Sequence, residues 1–459
     1  MSAACAVAAL AVLGAPRIAA AQQACSAYPN PVYISGSSAS EPVLEALAGL
    51  LTGISIIYFS PDSCLGLSDM LSEMPSTEQN SGVGPFYLST ANGTGSAVAC
   101  NFDATPQVPD IGVSDVFLKT CESQISLTVP AGVTLAEIQG PIQAMTFVVP
   151  SGSDATAISG EAAYVVFGYD GTPAVGQWNA PGDIFVRANT SGTLNMIGTA
   201  IGLNSVDWAN TAPSLTPPAQ QASGTGAMFT DVSTSPNANA TIGILSYEGA
   251  VQRNAKAAAA NPAQPTVKIL PYQPLGASCG YLPDSSSTSP DRINVRQGAY
   301  DIWGPLHFLV KVDSNGNPVP NNVATSPAAM ATVLNYFIET GPASSVGIPA
   351  DSEAAVKTVP FPISGSDAGG ITPSDATALV TAESTLSVGG VVPWCAMQVL
   401  RTSEIGAPAS YQPAQGCGCF FENSATGKTV SPYCQACSSP ADCNDPCFPK
   451  CNYGFCEAQ

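Results

Sequence analysis

Four times along this chain a short apolar run of strand length gives way to a loop of small, polar residues, and this recurrence restricts the fold more than any other feature. Pro31-Val32-Tyr33-Ile34 reads as a strand, Ser35-Gly36-Ser37-Ser38-Ala39-Ser40 as a turn, and Glu41 to Leu51 carries Val43, Leu44, Leu47, Leu50 and Leu51 at helical spacing. The order returns at Ile54–Phe59 with Ser60 to Ser63, and at Pro109–Val113 with Ser114-Asp115. It returns again at Asp183–Arg187, followed by Ala188-Asn189-Thr190-Ser191-Gly192-Thr193 and a helical stretch from Leu194 to Leu203. Strand, hydroxyl loop, helix is the unit of an α/β fold, and it predicts a mostly parallel sheet with binding loops at the strand C-termini.

Composition sets the limits. The 459 residues allow two to four folding units, and 45% apolar residues supply a large core. With 42 Gly and 40 Pro the elements must be short, which excludes a coiled coil or an all-helical bundle. A net charge of −20 argues against a nucleic-acid partner. Ala3 to Gly14 is apolar and Ala19-Ala20-Ala21 offers a small-residue cleavage site, so residues 1–21 are expected to be a signal peptide, although no Lys or Arg precedes Arg17. The chain is therefore expected to be exported, to the periplasm or the cell surface.

Cysteine usage agrees with export. Without Cys5, 14 cysteines remain, and eight lie in the last 43 residues: Cys417, Cys419, Cys434, Cys437, Cys443, Cys447, Cys451 and Cys456. The C-x-C and C-x-x-C spacings can hold zinc, but the tail has no His, and an oxidising compartment favours bridges. We expect all 14 to pair, with no metal and no cofactor, and the tail to form a separate stapled unit of open connectivity. Cys25, Cys64, Cys100, Cys121, Cys279 and Cys395 are far apart and would close long loops.

Arg187 is the only cation in the 133 residues between Lys119 and Arg253, and it precedes Thr190-Ser191-Gly192-Thr193 at the start of an expected helix. Unpaired amides, hydroxyls, the helix dipole and a guanidinium together make an oxyanion site. The plainer alternative is a salt bridge beside an ordinary helix cap.

The order and content of these motifs resemble the phosphate-binding proteins of bacterial ABC importers, over roughly residues 30–345. Ile34-Ser35-Gly36-Ser37-Ser38-Ala39-Ser40 is similar to the family's first glycine-rich loop, Tyr58 to Gly66 to its second serine loop, and Ile111-Gly112-Val113-Ser114-Asp115 to its Gly-x-Ser-Asp segment. Arg187-Ala188-Asn189-Thr190-Ser191-Gly192-Thr193 matches Arg-x-x-x-Ser-Gly-Thr, the most specific of the four.

The resemblance implies a two-lobed, type II periplasmic-binding-protein fold with the anion clamped between lobes. Lobe one would comprise residues 26–145 and 269–400, lobe two 146–268, and a cysteine-rich tail 401–459. Ser38, Ser40 and Ser63 would offer hydroxyls, Asp115 would accept the proton of a phosphate, and Arg187, Asn189, Ser191, Gly192 and Thr193 would act from lobe two. Glu41 stands where the family loop usually has an aromatic, and Asn189 where it usually has Asp. Inorganic phosphate is the expected ligand, ABC importer membrane subunits the expected partners, and a monomer the expected state. Enzyme chemistry finds little here: the single histidine, His307, sits in an apolar run, and there is no G-x-S-x-G elbow. The second class is a surface or interaction protein that keeps the binding fold without transport, to which the polar stretches Asp284–Pro290 and 363–389 and the tail would be additions.

Overall fold

The computed structural model describes residues 23–72, 85–89, 96–102, 107–125, 127, 129–169, 176–208, 220–340, 391–401, 404, 407–413, 416–426 and 434–457. The expected signal peptide and the stretch 363–389 lie outside these residues. β1 (Pro31–Gly36) leads through the expected hydroxyl turn into α1 (Glu41–Leu50), and β2 (Ser55–Phe59) leads into α2 (Ser63–Leu71). Both strands are buried on both faces, which is why they are runs of apolar residues without alternation. The hairpin β3 (Phe86–Ser89) and β4 (Ser96–Ala99) follows, then β5 (Ile111–Ser114), α3 (Leu118–Gln124) and the 17-residue β6 (Thr134–Pro150).

Beyond β6 come β7 (Ile158–Ser159), α4 (Gly160–Gly168), β8 (Phe185–Val186), α5 (Gly192–Ile201), β9 (Gln220–Gln221), α6 (Thr225–Ser233), β10 (Gly243–Ser246) and α7 (Tyr247–Ala260). The chain returns through β11 (Val267–Ile269), β12 (Tyr272–Gln273) and α8 (Ile293–Arg296) to β13 (Trp303–Val312) and α9 (Pro327–Thr340). The expected strand over Asp183–Arg187 shortens to β8, because Pro181–Asp183 winds into a 3-10 turn.

The main sheet runs β10-β6-β13-β5-β1-β2-β3-β4, with β11 also on β6. The expectation of a mostly parallel sheet is corrected: β1 pairs parallel with β2 and β5, but the other pairings in this sheet are antiparallel. β13 inserts between β5 and β6, opposed to both, while the β3–β4 hairpin adds antiparallel to β2, and β10 and β11 run antiparallel to the end of β6. β6 carries two sets of partners along its length. Its first part, Thr134 to Ala144, lies on β13, and its last part, Met145 to Pro150, lies on β10 and β11. One strand thus joins a first half built on β1, β2, β5 and β13 to a second half built around β8, β10 and α4–α7.

Among the described residues six disulfides form, and two are long staples in the first half: Cys25–Cys100 spans 75 residues and Cys64–Cys121 spans 57. In the chain-entropy account each contributes about 4 kcal/mol. Cys395–Cys417 ties the tail to the body, and Cys419–Cys434, Cys437–Cys451 and Cys443–Cys456 lie within the tail. Two expectations change. Cys279 and Cys447 are exposed free thiols rather than partners in a complete set. The tail is also not separate from the body: Cys417 and, in α10 (Gly418–Thr426), Phe421 belong to the main core, and Arg296 Nη1 holds Glu422 Oε1 at 2.8 Å. The polar stretch expected as an addition is anchored too, since Asp284 accepts from Arg292 N at 2.6 Å and from Tyr247 Oη at 2.5 Å.

Two predictions follow from burial and pairing. Alkylation of the native, unreduced protein should label two thiols within residues 23–459, Cys279 and Cys447, with peptide mapping returning six linked pairs; fewer bridges would refute the pairing. Burial pushes Asp110 up to about 6 and Glu45 and Glu248 up to about 7. An acid with a folded pKa above its ordinary value of about 4 holds its proton more tightly when folded, so its stabilising share is complete below about pH 4 and is lost as pH rises through 6 to 7. Melting temperature in phosphate-free buffer should therefore be higher at pH 5 than at pH 8, and a flat or rising profile would contradict this.

Candidate functional site

The loops that end β1, β2 and β5 lie together because their strands are neighbours in the sheet, and two glycines allow the close approach. A Cβ on Gly66 would stand 2.4 Å from the backbone nitrogen of Gly36, and Gly36 itself holds a φ of 149°. Ser37 N donates to Val113 O at 3.0 Å, fixing the first loop over β5.

Ser63 occupies the centre. Its Oγ accepts from the backbone N–H of Gly192 at 3.1 Å and of Asp115 at 3.3 Å, and donates to Asp115 Oδ2 at 3.2 Å. Gly192 is the first residue of α5, so a hydroxyl oxygen of the first half sits on the amide end of a helix of the second. A second contact repeats the pattern: Thr225, the first residue of α6, donates its N–H to Ser38 Oγ at 3.1 Å, with the two hydroxyl oxygens 3.0 Å apart. Helix N-termini carry unpaired amides and partial positive charge, and here serine oxygens satisfy them.

Arg187 is buried, with 2% of its surface exposed, and its Nη2 lies 2.7 Å from Asp62 Oδ1. Thr190 Oγ1 donates to the other oxygen, Asp62 Oδ2, at 3.1 Å, and Cys64 N donates to Thr190 O at 3.1 Å. Asp115 Oδ1 accepts from Gln143 Nε2 at 2.6 Å. Both carboxylates are raised by burial, which outweighs the attraction of Arg187: Asp62 is pushed up to about 6, and Asp115 also moves up.

Most of the residues expected from sequence converge. Ser38, Ser63, Asp115, Arg187 and Gly192 take part in these contacts; Ser191 and Thr193, flanking Gly192, are buried with it. Ser40 is turned into its own loop, where its hydroxyl donates to Ser37 O at 2.7 Å and meets Tyr58 Oη at 3.1 Å. Asn189 contributes its carbonyl to Asn195 Nδ2 at 2.7 Å, a bond that shapes the loop opening α5. His307 lies on β13, its Nδ1 2.8 Å from Glu137 Oε1 and its ring against Phe117, contacts of a packed core residue.

Sequence reasoning missed Asp62, Gln143, Thr190 and Thr225. For Thr225 a signal existed, because Ser223-Gly224-Thr225 repeats the tripeptide Ser191-Gly192-Thr193 at the start of another helix. For Asp62 there was none, since its partner is 125 residues away. The cysteine spacing of the tail, which could have held zinc, is taken up by bridges: among the described residues Cys437, Cys443 and Cys456 lie close together, with their sulfurs in disulfides. A cleft of about 600 Å³ between tail and body is lined by Arg296, Met397, Tyr411 and Glu422, and its one buried cation is already held by Glu422 and by Ala396 O.

The contact between the halves leaves no room at Gly192. A Cβ there would stand 2.5 Å from Ser63 Oγ and 2.6 Å from Asp115 Cβ. Gly192→Ala should force the two loops apart and lower stability by about 1–3 kcal/mol, as overpacking does. Chemical denaturation measures this, and an unchanged midpoint would show that the loops are not in contact in solution.

No family model and no curated protein matches the chain. Matching solved structures include an ABC-type phosphate transport receptor from Vibrio cholerae, at 16% identity over 62% of this chain and 88% of that one, TM-score 0.33. A phosphate-binding protein from Stenotrophomonas maltophilia matches at 14% identity over 69% and 85%, TM-score 0.37. The soluble ancestral variant of the human phosphate-binding protein matches at 14% over 67% and 84%, TM-score 0.42. The solved structures named above are phosphate-binding or phosphate-transport proteins.

Proposed function

We propose that this protein is an exported solute-binding protein that captures inorganic phosphate, or a similar tetrahedral oxyanion, between its two halves. The observation that carries the reading is the meeting of Ser63 with the N-terminus of α5 and of Ser38 with that of α6, beside the buried Arg187. Each serine oxygen stands where an oxyanion oxygen would be received by helix amides, and the guanidinium supplies the charge-assisted bonds. We assign residues 26–145 and 269–400 to one lobe and 146–268 to the other, with β6 as a connection between them.

In this reading the halves part, the anion enters, and Ser38, Ser63, Arg187, Ser191, Gly192 and Thr193 donate to it while Asp115 accepts its proton. Ser40 and Asn189 shape their loops. The chain's net charge of −20 opposes capture at long range, but the Debye length is about 8 Å at physiological salt, so local donors decide. Handing the anion to the membrane subunits of an ABC importer is the corresponding physiological role. Export is compatible with the disulfides, and among the described residues no helix is long and apolar enough to cross a membrane.

The alternative, an extracellular surface or interaction protein that keeps the fold without transport, is favoured by one observation: Asp62 already takes up Arg187. Isothermal titration separates the two. We expect phosphate to bind with a dissociation constant near micromolar and, at about 100 times that concentration, to stabilise the fold by about 2.7 kcal/mol. Arg187→Ala should weaken binding by about 2–5 kcal/mol, and Arg187→Lys should restore only part of it because an ammonium lacks the fork. A silent titration with wild type, or full affinity in Arg187→Ala, would reject the phosphate reading.

A further inference from the structure

Asp62 stands at the N-cap position of α2 yet makes no side-chain bond to its own helix. Its carboxylate crosses to the second half, where one oxygen receives Arg187 Nη2 at 2.7 Å and the other receives Thr190 Oγ1 at 3.1 Å. A guanidinium on one oxygen and a hydroxyl on the next is the way a bound oxyanion is held. The site is only partly satisfied by this arrangement. Arg187 Nε is buried without a partner, and so is Gln143 Oε1, whose Nε2 holds Asp115.

Resting on the phosphate reading, we propose that Asp62 is an internal counter-anion that competes with the bound oxyanion for Arg187, and thereby selects oxyanions that arrive carrying protons. The charges facing Asp62 are few: Arg187 from the loop after β8, and Asp115 from the loop after β5, with Thr190 as the neutral donor. With both carboxylates ionised the three groups sum to −1, before any ligand enters. Dibasic phosphate adds two further negative charges and has one proton to give. Monobasic phosphate adds one charge and has two protons, one for each carboxylate. Sulfate brings none, and meets Asp62 as well as Asp115 as a repelling group.

The pH dependence has a definite sign. Burial raises Asp62 to about 6, so below that pH the carboxyl is neutral and releases Arg187 to the anion, and above it the ion pair re-forms. Phosphate itself loses a proton as pH rises, so wild-type affinity alone does not isolate Asp62. The comparison with Asp62→Asn does, because both proteins meet the same phosphate.

The experiment is isothermal titration of the full chain with inorganic phosphate, and separately with sulfate, from pH 5 to pH 8 at fixed ionic strength. Asp62→Asn should bind phosphate about tenfold more tightly than wild type at pH 8, with the two converging at pH 5, and should gain affinity for sulfate at pH 8. Thr190→Val, which removes only the hydroxyl on Asp62 Oδ2, should shift phosphate affinity at pH 8 in the same direction by a few-fold; it serves as the test if Asp62→Asn does not fold. Phosphate binding by wild type with a variant-to-wild-type ratio that stays constant across pH, or with weaker binding in the variants, would overturn the role of Asp62 and leave the phosphate reading standing. Silence of wild type and variants toward phosphate at every pH would reject the phosphate reading and the inference with it.

Discussion

The ladder between β6 and β13 is the constraint on which the remainder of the molecule depends. β13 returns from the second half and lies antiparallel between β5 and β6 from Trp303 to Val312, closing the gap between the first part of the chain and its continuation. Because β6 then runs on to pair with β10 and β11, one strand sets the direction of both halves. The loops after β1, β2 and β5 are thereby aimed at the N-termini of α5 and α6. Small residues make the approach possible: Gly66 against Gly36 within the first half, and Gly192 against Ser63 and Asp115 across the halves.

Charge is scarce in this chain, and several of its charged side chains are buried with partners. Asp110 accepts from Tyr33 N, Asn321 N, Asn322 N and Thr325 Oγ1, so a single carboxylate ties β1 to the loop that follows β13. Arg292 is fully buried in a left-handed conformation with a φ of 51°, held by Asp284 and stacked over the Tyr247 ring. A non-glycine residue in that region persists only where its surroundings hold it there. Arg187 follows the same rule, except that its partner belongs to the opposite half. That difference makes its ion pair a contact between the two halves rather than a fixture of one core.

The tail is bound to the body by more than covalent closure within itself. Cys395–Cys417 and Arg296–Glu422 join it to the segment around α8, while Trp394 packs edge-on against Tyr411. Three internal bridges in a segment with few apolar residues compensate for the core it lacks, as in other small disulfide-dense units. The exposed thiols Cys279 and Cys447 stand outside this framework.

The sequence by itself determined the local units. Apolar runs of strand length, hydroxyl loops and helical spacing mark β1–α1, β2–α2 and the loop into α5, because each is governed by neighbours within a few residues. It also marked Ser63, Asp115 and Arg187 as polar residues, and Gly192 as a backbone donor, at strand ends and helix starts, which the structure brings to one place. Tertiary structure alone decided the antiparallel insertion of β13, the pairing of 12 rather than 14 cysteines, and the partner of Arg187. A buried strand has the same apolar pattern whichever way its neighbours run, so pattern cannot supply direction. A charge declares that it needs a partner, but Asp62 becomes that partner only when the fold carries it across 125 residues of chain to Arg187.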